Sequence, residues 1–211
     1  VLDSDIAKRL RKQVKADFYM QSCVESIERN DDGSLRVSFS KKNKAQTVDA
    51  DMVLVATGRA ANTEGLNLEA VGVEYGKTGI VVDDNMLTSV GNIYAIGDVN
   101  GRCMLAHAAT MQGFRAVNHI LGITDGIRFD VMPSAVFTTP EAASVGVSED
   151  YCKENGISYE CRKAFHRANG KALAMNETEG LLKLIVESGT KRIIGCHAFG
   201  AHAADRVQEA S

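Results

Sequence analysis

The chain has 211 residues, a formal net charge of −3 and an apolar fraction of 45%, which suits one large globular domain or two small ones. With no basic block and no Trp it offers little to a nucleic-acid backbone, and no apolar run approaches the length that crosses a bilayer. Cys23, Cys103, Cys152, Cys161 and Cys196 are scattered, without a Cys-x-x-Cys, which suits free thiols in a reducing compartment, the cytoplasm. His107, His119, His166, His197 and His202 share no ligand spacing with these cysteines, so no metal site is expected.

In chain order, Asp3 or Ser4 can cap a helix running to about Val14, with Ile6, Leu10 and Val14 on one face. Phe18 to Glu28 reads as extended. Asn30-Asp31-Asp32-Gly33 is a hairpin turn leading into the alternating Leu35-Arg36-Val37-Ser38-Phe39. Met52-Val53-Leu54-Val55-Ala56 is a compact apolar run, as in a buried strand, and stops at Thr57-Gly58-Arg59. A glycine-rich loop follows before Ile80-Val81-Val82. Beyond a connector at 122–130 the character changes. Ser134 to Thr138, Ala143 to Val147, Tyr159 to Phe165, Gly180 to Glu187 and Arg192 to Phe199 read as antiparallel strands, interrupted by a helix from about Ser148 to Asn155.

Asn92-Ile93-Tyr94-Ala95-Ile96-Gly97-Asp98-Val99 is the most informative stretch. Ile93, Tyr94 and Ile96 suit a short buried strand, and Gly97 frees the backbone where it ends. Asp98 then stands at the carboxyl end of that strand, where open α/β sheets bind ligands. A carboxylate repels phosphate but accepts hydrogen bonds from polyol hydroxyls, which points to the sugar-like part of a nucleotide cofactor. From Leu105 to Leu121 the chain reads as a helix with a small apolar stripe at Ala109, Gly113, Ala116, Val117 and Leu121. Its positive N-terminal end lies a few residues after Asp98, suited to an electron-rich ring or an oxyanion.

Several motifs occur in a fixed order: Ala56-Thr57-Gly58-Arg59 with Asn62-Thr63; Ile93 to Asp98; Met104-Leu105-Ala106-His107; Met132-Pro133-Ser134; Thr139-Pro140-Glu141 through Ser144-Val145-Gly146; Ala168 to Ala172; Glu177-Thr178-Glu179-Gly180; and Gly195-Cys196-His197. The series resembles the flavoprotein (pyridine nucleotide) disulfide oxidoreductases, most closely their dihydrolipoamide dehydrogenase branch. The resemblance implies an α/β plus α+β architecture: remnants of a doubly wound, three-layer nucleotide-binding region followed by an antiparallel interface (dimerisation) domain. It implies the C-terminal part of an NAD domain over 1–90, a returning part of an FAD domain over 91–131, and a truncated interface domain over 132–211. Asp98 is similar to the carboxylate that holds the ribityl chain of FAD. Main-chain groups of Met104, Leu105, Ala106 and His107 match those that approach the flavin, the His107 side chain serving as a cap or packing group. Gly58 resembles an NAD-contacting glycine, and the Ala135 carbonyl matches one that meets the nicotinamide amide. The family also places a cis proline at the position of Pro140.

Other features of the family are missing from this sequence. It contains no Gly-x-Gly-x-x-Gly, no Cys-x-x-x-x-Cys pair and no terminal His-Pro followed by Glu. No catalytic residue is therefore expected in this chain, which reads as an internal piece of an enzyme that carries electrons from a dithiol such as dihydrolipoamide, through a protein disulfide and flavin, to NAD. Neither FAD nor NAD is expected to stay bound to the piece alone. Homodimerisation through the region after Met132 is expected, with a lipoyl-bearing multienzyme complex as a further partner of the parent. Glutathione reductase, mercuric reductase and soluble transhydrogenase branches stay open. So does a reading from another class: as it stands, a non-catalytic dimerisation module.

Overall fold

A computed structural model describes residues 2–211. In chain order its elements are α1 (Ser4–Gln13), β1 (Ser22–Arg29), β2 (Leu35–Lys41), β3 (Lys44–Ala50), α2 (Leu68–Val71), β4 (Tyr75–Gly76), β5 (Gly79–Ile80), α3 (Ala106–Ile120), β6 (Ser134–Val136), β7 (Ala142–Gly146), α4 (Glu149–Glu154), β8 (Tyr159–Phe165), α5 (Gly170–Ala174), β9 (Leu181–Glu187), β10 (Ile193–Phe199) and α6 (Ala203–Glu209). The architecture is mixed α and β, and every strand ladder among the described residues is antiparallel. The chain divides into two compact units, one of residues 15–59 and one of residues up to 14 and from 60 onward.

The smaller unit is a three-stranded meander in the order β1-β2-β3. Its first turn forms where the sequence placed it: Gly33 takes a positive φ of 89°, and Asn30 and Ser34 close the hairpin. The second turn, at Lys42 and Asn43, has positive φ at both residues, as a tight two-residue hairpin requires. It leads to β3, which the sequence did not announce because nearly all of its side chains are exposed. Arg36 and Asp49 stand directly opposite each other and pair at 2.8 Å. The expected buried strand at 52–56 does not form. Met52 is 84% and Leu54 87% exposed, because a buried strand needs a ladder on each side and the described residues place none beside it.

The larger unit is organised by a five-stranded sheet in the order β6-β7-β10-β9-β8. The expected strands all form here, with ends shifted by a few residues, and Thr139–Pro140 is cis. Directly opposed residues share a face, so the register lines up one polar row: Ser134, Ser144, His197, Lys183 and Lys163. Around that row, Ala142, Leu181 and Phe199 pack against Ile6 of α1, with Leu10 beside them. The other face carries Ala143, Val145, Cys196 and Ala198, packed against Ala203 and Val207 of α6.

Why α1 seats on this face follows from charge. Lys183 is 1% exposed, and a buried ammonium must be paired. Its Nζ lies 2.8 Å from both oxygens of Asp3 and 2.5 Å from Glu149. Asp3 is also the N-cap of α1, accepting from Asp5 N, and its second oxygen accepts from Glu149 N at 3.1 Å. Asp150 returns the bond, accepting from Ser4 N at 2.8 Å. The N-termini of α1 and α4 thus cap each other across one buried lysine. Lys163 repeats the pattern, pairing with Asp5 at 2.7 Å.

Burial alone would push the Lys183 ammonium down, but its hydrogen bonds to Asp3 and Glu149 prevail and raise it. The Lys183 hydrogen bond in turn holds the Glu149 carboxyl at about 2, below its usual 4.5. Stability from that pairing is complete above pH 4.5 and is lost as pH falls towards about 2. His197 adds an earlier loss. Its Nε2 donates to the Val147 carbonyl at 2.9 Å, while its buried Nδ1 has no partner among the described residues. Burial lowers the imidazole below 6.5, so the folded state resists protonating it and loses stability as pH drops through that value. Urea melts from pH 8 to 3 are therefore expected to show a decline beginning near pH 6.5 and steepening below 4.5. Lys183→Met strands two carboxylates and is expected to cost ~3–5 kcal/mol at neutral pH; a loss under ~1 kcal/mol would mean the pairing is not a stabilising constraint.

Candidate functional site

The site builds on a small core of Leu68, Val73, Ile80 and Ala95, with Ile93 and Val99 against it. Residues 93–96 cross this core extended, but they do not make the expected strand. Their ladder is reduced to one isolated bridge between Tyr94 and Leu87, with Ala95 N donating to Met86 O at 3.0 Å. A neighbour of a few loop residues cannot sustain a ladder, and Ile96 is left 44% exposed. Asp98 consequently stands in a 3-10 turn, Gly97–Asn100, and not at a strand end.

This turn brings Asp98 out to solvent, exposed and with no ion pair or side-chain hydrogen bond among the described residues. Gly97 makes the turn possible with a φ of 74°. A Cβ there would stand 3.3 Å from that of Ala109, so turn and helix α3 approach through two small residues. Gly113 lies one helical turn further on, its position 3.5 Å from Ile96 Cδ1. The stripe expected on α3 is therefore rotated: Ala108, Gln112 and Ala116 are buried, while Val117 and Leu121 are 53% and 65% exposed. The rotation follows from polar partners that the sequence does not reveal. Gln112 Oε1 accepts from Gly97 N at 2.7 Å and from Asn100 Nδ2 at 2.9 Å.

Met104 and Leu105, half-buried, lead into α3, with Leu105 N bonded to the Cys103 carbonyl. Leu105 is the N-cap residue and supplies no side-chain acceptor. The first-turn N–H groups therefore carry no side-chain cap, and the positive end of a 15-residue helix is open beside exposed Ala106 and His107. His107 is committed elsewhere: its Nε2 donates to the Pro133 carbonyl at 2.8 Å, tying the helix start to the approach of β6. Ala135 sits on β6, an edge strand, opposite Ala143. The Cys103 thiol is pushed up, first by burial and then by the nearby Asp98 charge, so it is a neutral neighbour of the turn.

Asp98, Met104, Leu105, Ala106, His107 and Ala135 all belong to the larger unit, whereas Gly58 belongs to the smaller one. Gly58 is exposed at φ 105°, with nothing within 4 Å of where a Cβ would stand, so its backbone is open to a ligand. Sequence reasoning missed Gln112 and Asn100. The signal that could have found Gln112 is a glutamine spaced four residues from both Ala108 and Ala116.

These features fit one kind of group. An unpaired carboxylate can accept from polyol hydroxyls, and an uncapped helix end can accept negative charge. Such a pair can accommodate a group that carries both hydroxyls and an electron-rich ring or oxyanion.

The profile of the pyridine nucleotide-disulphide oxidoreductases matches residues 1–113, and that of their dimerisation domain matches residues 132–211. A dihydrolipoyl dehydrogenase of Bacillus subtilis is 39% identical over 211 residues, covering 100% of this chain and 45% of that protein. A mitochondrial dihydrolipoyl dehydrogenase of Pisum sativum is 36% identical over 215 residues, covering 100% of this chain and 43% of its own length. Among solved structures, LpdA of Mycobacterium tuberculosis superposes with a TM-score of 0.88 at 28% identity, over 99% of this chain and 46% of its own. The chain spans less than half the length of each relative named here.

Gly97→Ala forces a side chain into a left-handed conformation against Ala109 and is expected to destabilise the larger unit by ~1–3 kcal/mol. Gly113→Ala meets only ordinary contact and gains helix propensity, so it is expected to be neutral or stabilising by up to ~1 kcal/mol. Thermal unfolding of the two variants checks both, and equal behaviour would contradict the close approach of turn and helix.

Proposed function

The chain belongs to the pyridine nucleotide-disulphide oxidoreductase family, and on that premise we propose that it is an internal segment of an FAD-dependent, NAD-linked enzyme that oxidises a dithiol such as dihydrolipoamide. The observation that carries the proposal is the exposed, unpaired Asp98 carboxylate on a turn packed against α3, a helix whose N-terminus has no side-chain cap. In this reading residues 1–90 complete an NAD domain, 91–131 return to an FAD domain and 132–211 form part of the interface domain.

FAD, when bound, supplies the two-electron carrier between thiol and nicotinamide. Asp98 accepts hydrogen bonds from ribityl hydroxyls. The first-turn N–H groups at Ala106 and His107 would favour negative charge on the flavin ring, and Met104 and Leu105 would supply main-chain groups to it. The Ala135 carbonyl would accept from a nicotinamide amide, and Gly58, in the smaller unit, would offer open backbone to a nucleotide. The thiol chemistry belongs to residues outside this sequence. The dihydrolipoamide branch is supported by the relatives of Bacillus subtilis and Pisum sativum; a lipoyl-bearing complex would be the partner of the whole enzyme. Five free cysteines support a reducing compartment, which we take to be the cytoplasm. No helix among the described residues is long and apolar enough to cross a membrane.

Asp98→Ala in the full-length enzyme is expected to weaken FAD by ~1.5–3 kcal/mol for each hydrogen bond lost, with a smaller effect on the dithiol step. Reconstitution of apoenzyme with FAD measures it, and unchanged affinity would reduce Asp98 to a turn residue.

A second reading describes the polypeptide alone: a dimerisation module, favoured by the match of residues 132–211 to the family's dimerisation domain. Exposed apolar residues such as Phe137 at 80% and Leu173 at 55% suit a covered surface. Sedimentation of the isolated chain is expected to give a dimer or larger species, and a monomer at high micromolar concentration would contradict it.

A further inference from the structure

Gln112 is 1% exposed on the buried stripe of α3, between Ala108 and Ala116. A buried amide is costly unless bonded, and an apolar residue would serve a purely structural stripe. What Gln112 does with its amide is specific. Its Oε1 takes the Gly97 N–H and the Asn100 side-chain N–H, at the two ends of the turn that carries Asp98. Asn100 extends the tie, donating to the Ala95 carbonyl at 2.9 Å and accepting from Arg102 N at 3.0 Å. The turn has no side-chain cap of its own. Its seat on α3 is therefore set by this one oxygen and by the Gly97–Ala109 approach.

We infer that Gln112 is a positioning residue for the cofactor: it fixes the Asp98 carboxylate relative to the N-terminus of α3, so that both meet one ligand. The inference rests on the reading of Asp98 and α3 as a flavin seat. A ligand held at two points is bound well only when the points are correctly spaced. Loss of the oxygen changes the spacing of turn and helix while leaving both contact groups chemically intact.

Three variants of the full-length flavoprotein separate the roles. Gln112→Met keeps length and volume without the oxygen, Gln112→Glu keeps an acceptor oxygen, and Asp98→Asn tests the seat itself. FAD affinity is read by flavin fluorescence on titrating apoprotein, together with the shape of the visible absorption band. Gln112→Met is expected to weaken FAD about tenfold and to alter the band, with Gln112→Glu within about threefold of the unsubstituted protein. Unchanged affinity in Gln112→Met, or equal weakness in Gln112→Glu, overturns the inference when Asp98→Asn is weakened. No loss in Asp98→Asn overturns the flavin seat instead. If Gln112→Met fails to fold, Asn100→Ala, which removes the Asn100 bonds to Gln112, the Ala95 carbonyl and Arg102 N, is expected to weaken FAD in the same direction, and unchanged affinity there overturns the inference.

Discussion

The larger unit depends on one buried cation. Lys183 lies mid-strand in β9 with Asp3 and Glu149 around its ammonium, and those two carboxylates begin two different helices. Removing water from three charges is repaid only in accurate geometry, so the pairing selects one arrangement of α1, α4 and the sheet. It also fixes register. A slip of one residue would carry Lys183 to the apolar face of Cys196 and Ala198, away from Asp3 and Glu149. Lys163 and Asp5 apply the same condition one strand away.

From that sheet the constraint reaches the candidate site through backbone and short polar links. β6 ends the sheet, and the Pro133 carbonyl just before it takes the His107 hydrogen bond. The start of α3 is thereby held, and α3 holds the Asp98 turn through Gln112. The Asp98 turn is thus anchored at the buried Gln112 oxygen, and the start of α3 at a surface hydrogen bond. Asp98 and the first-turn N–H groups are left free to meet a ligand.

Much of this was legible in the sequence where local signals agree. α1 carried an N-cap, an apolar face and a basic last turn. The hairpin at Asn30 to Gly33 carried its turn residues. The interface strands alternated between two buried faces and showed as runs such as Leu181 to Glu187. The pattern failed where partners decide the outcome. Met52 to Ala56 and Ile93 to Ile96 have strand composition, yet strand structure belongs to a ladder. β3 was hidden by its exposure, since periodicity marks only half-buried strands. Lys183 and Asp3 are 180 residues apart, and nothing in Leu-Leu-Lys-Leu-Ile-Val says which acid will meet the lysine. Asp98 was expected at a strand end and stands instead in a 3-10 turn, because its support, Gln112 and Asn100, depends on contacts across the turn.

In the proposed function, Asp98 and α3 form only part of a flavin seat. The Asp98 turn and one helix end supply few hydrogen bonds against the cost of immobilising a large dinucleotide. The direct measurement is the visible absorption spectrum of the 211-residue chain and of the full-length protein, each purified in excess FAD and then freed of unbound flavin. The expected result is a colourless chain and a full-length protein with flavin bands near one equivalent. Stoichiometric flavin on the isolated chain, or none on the full-length protein, would contradict the account.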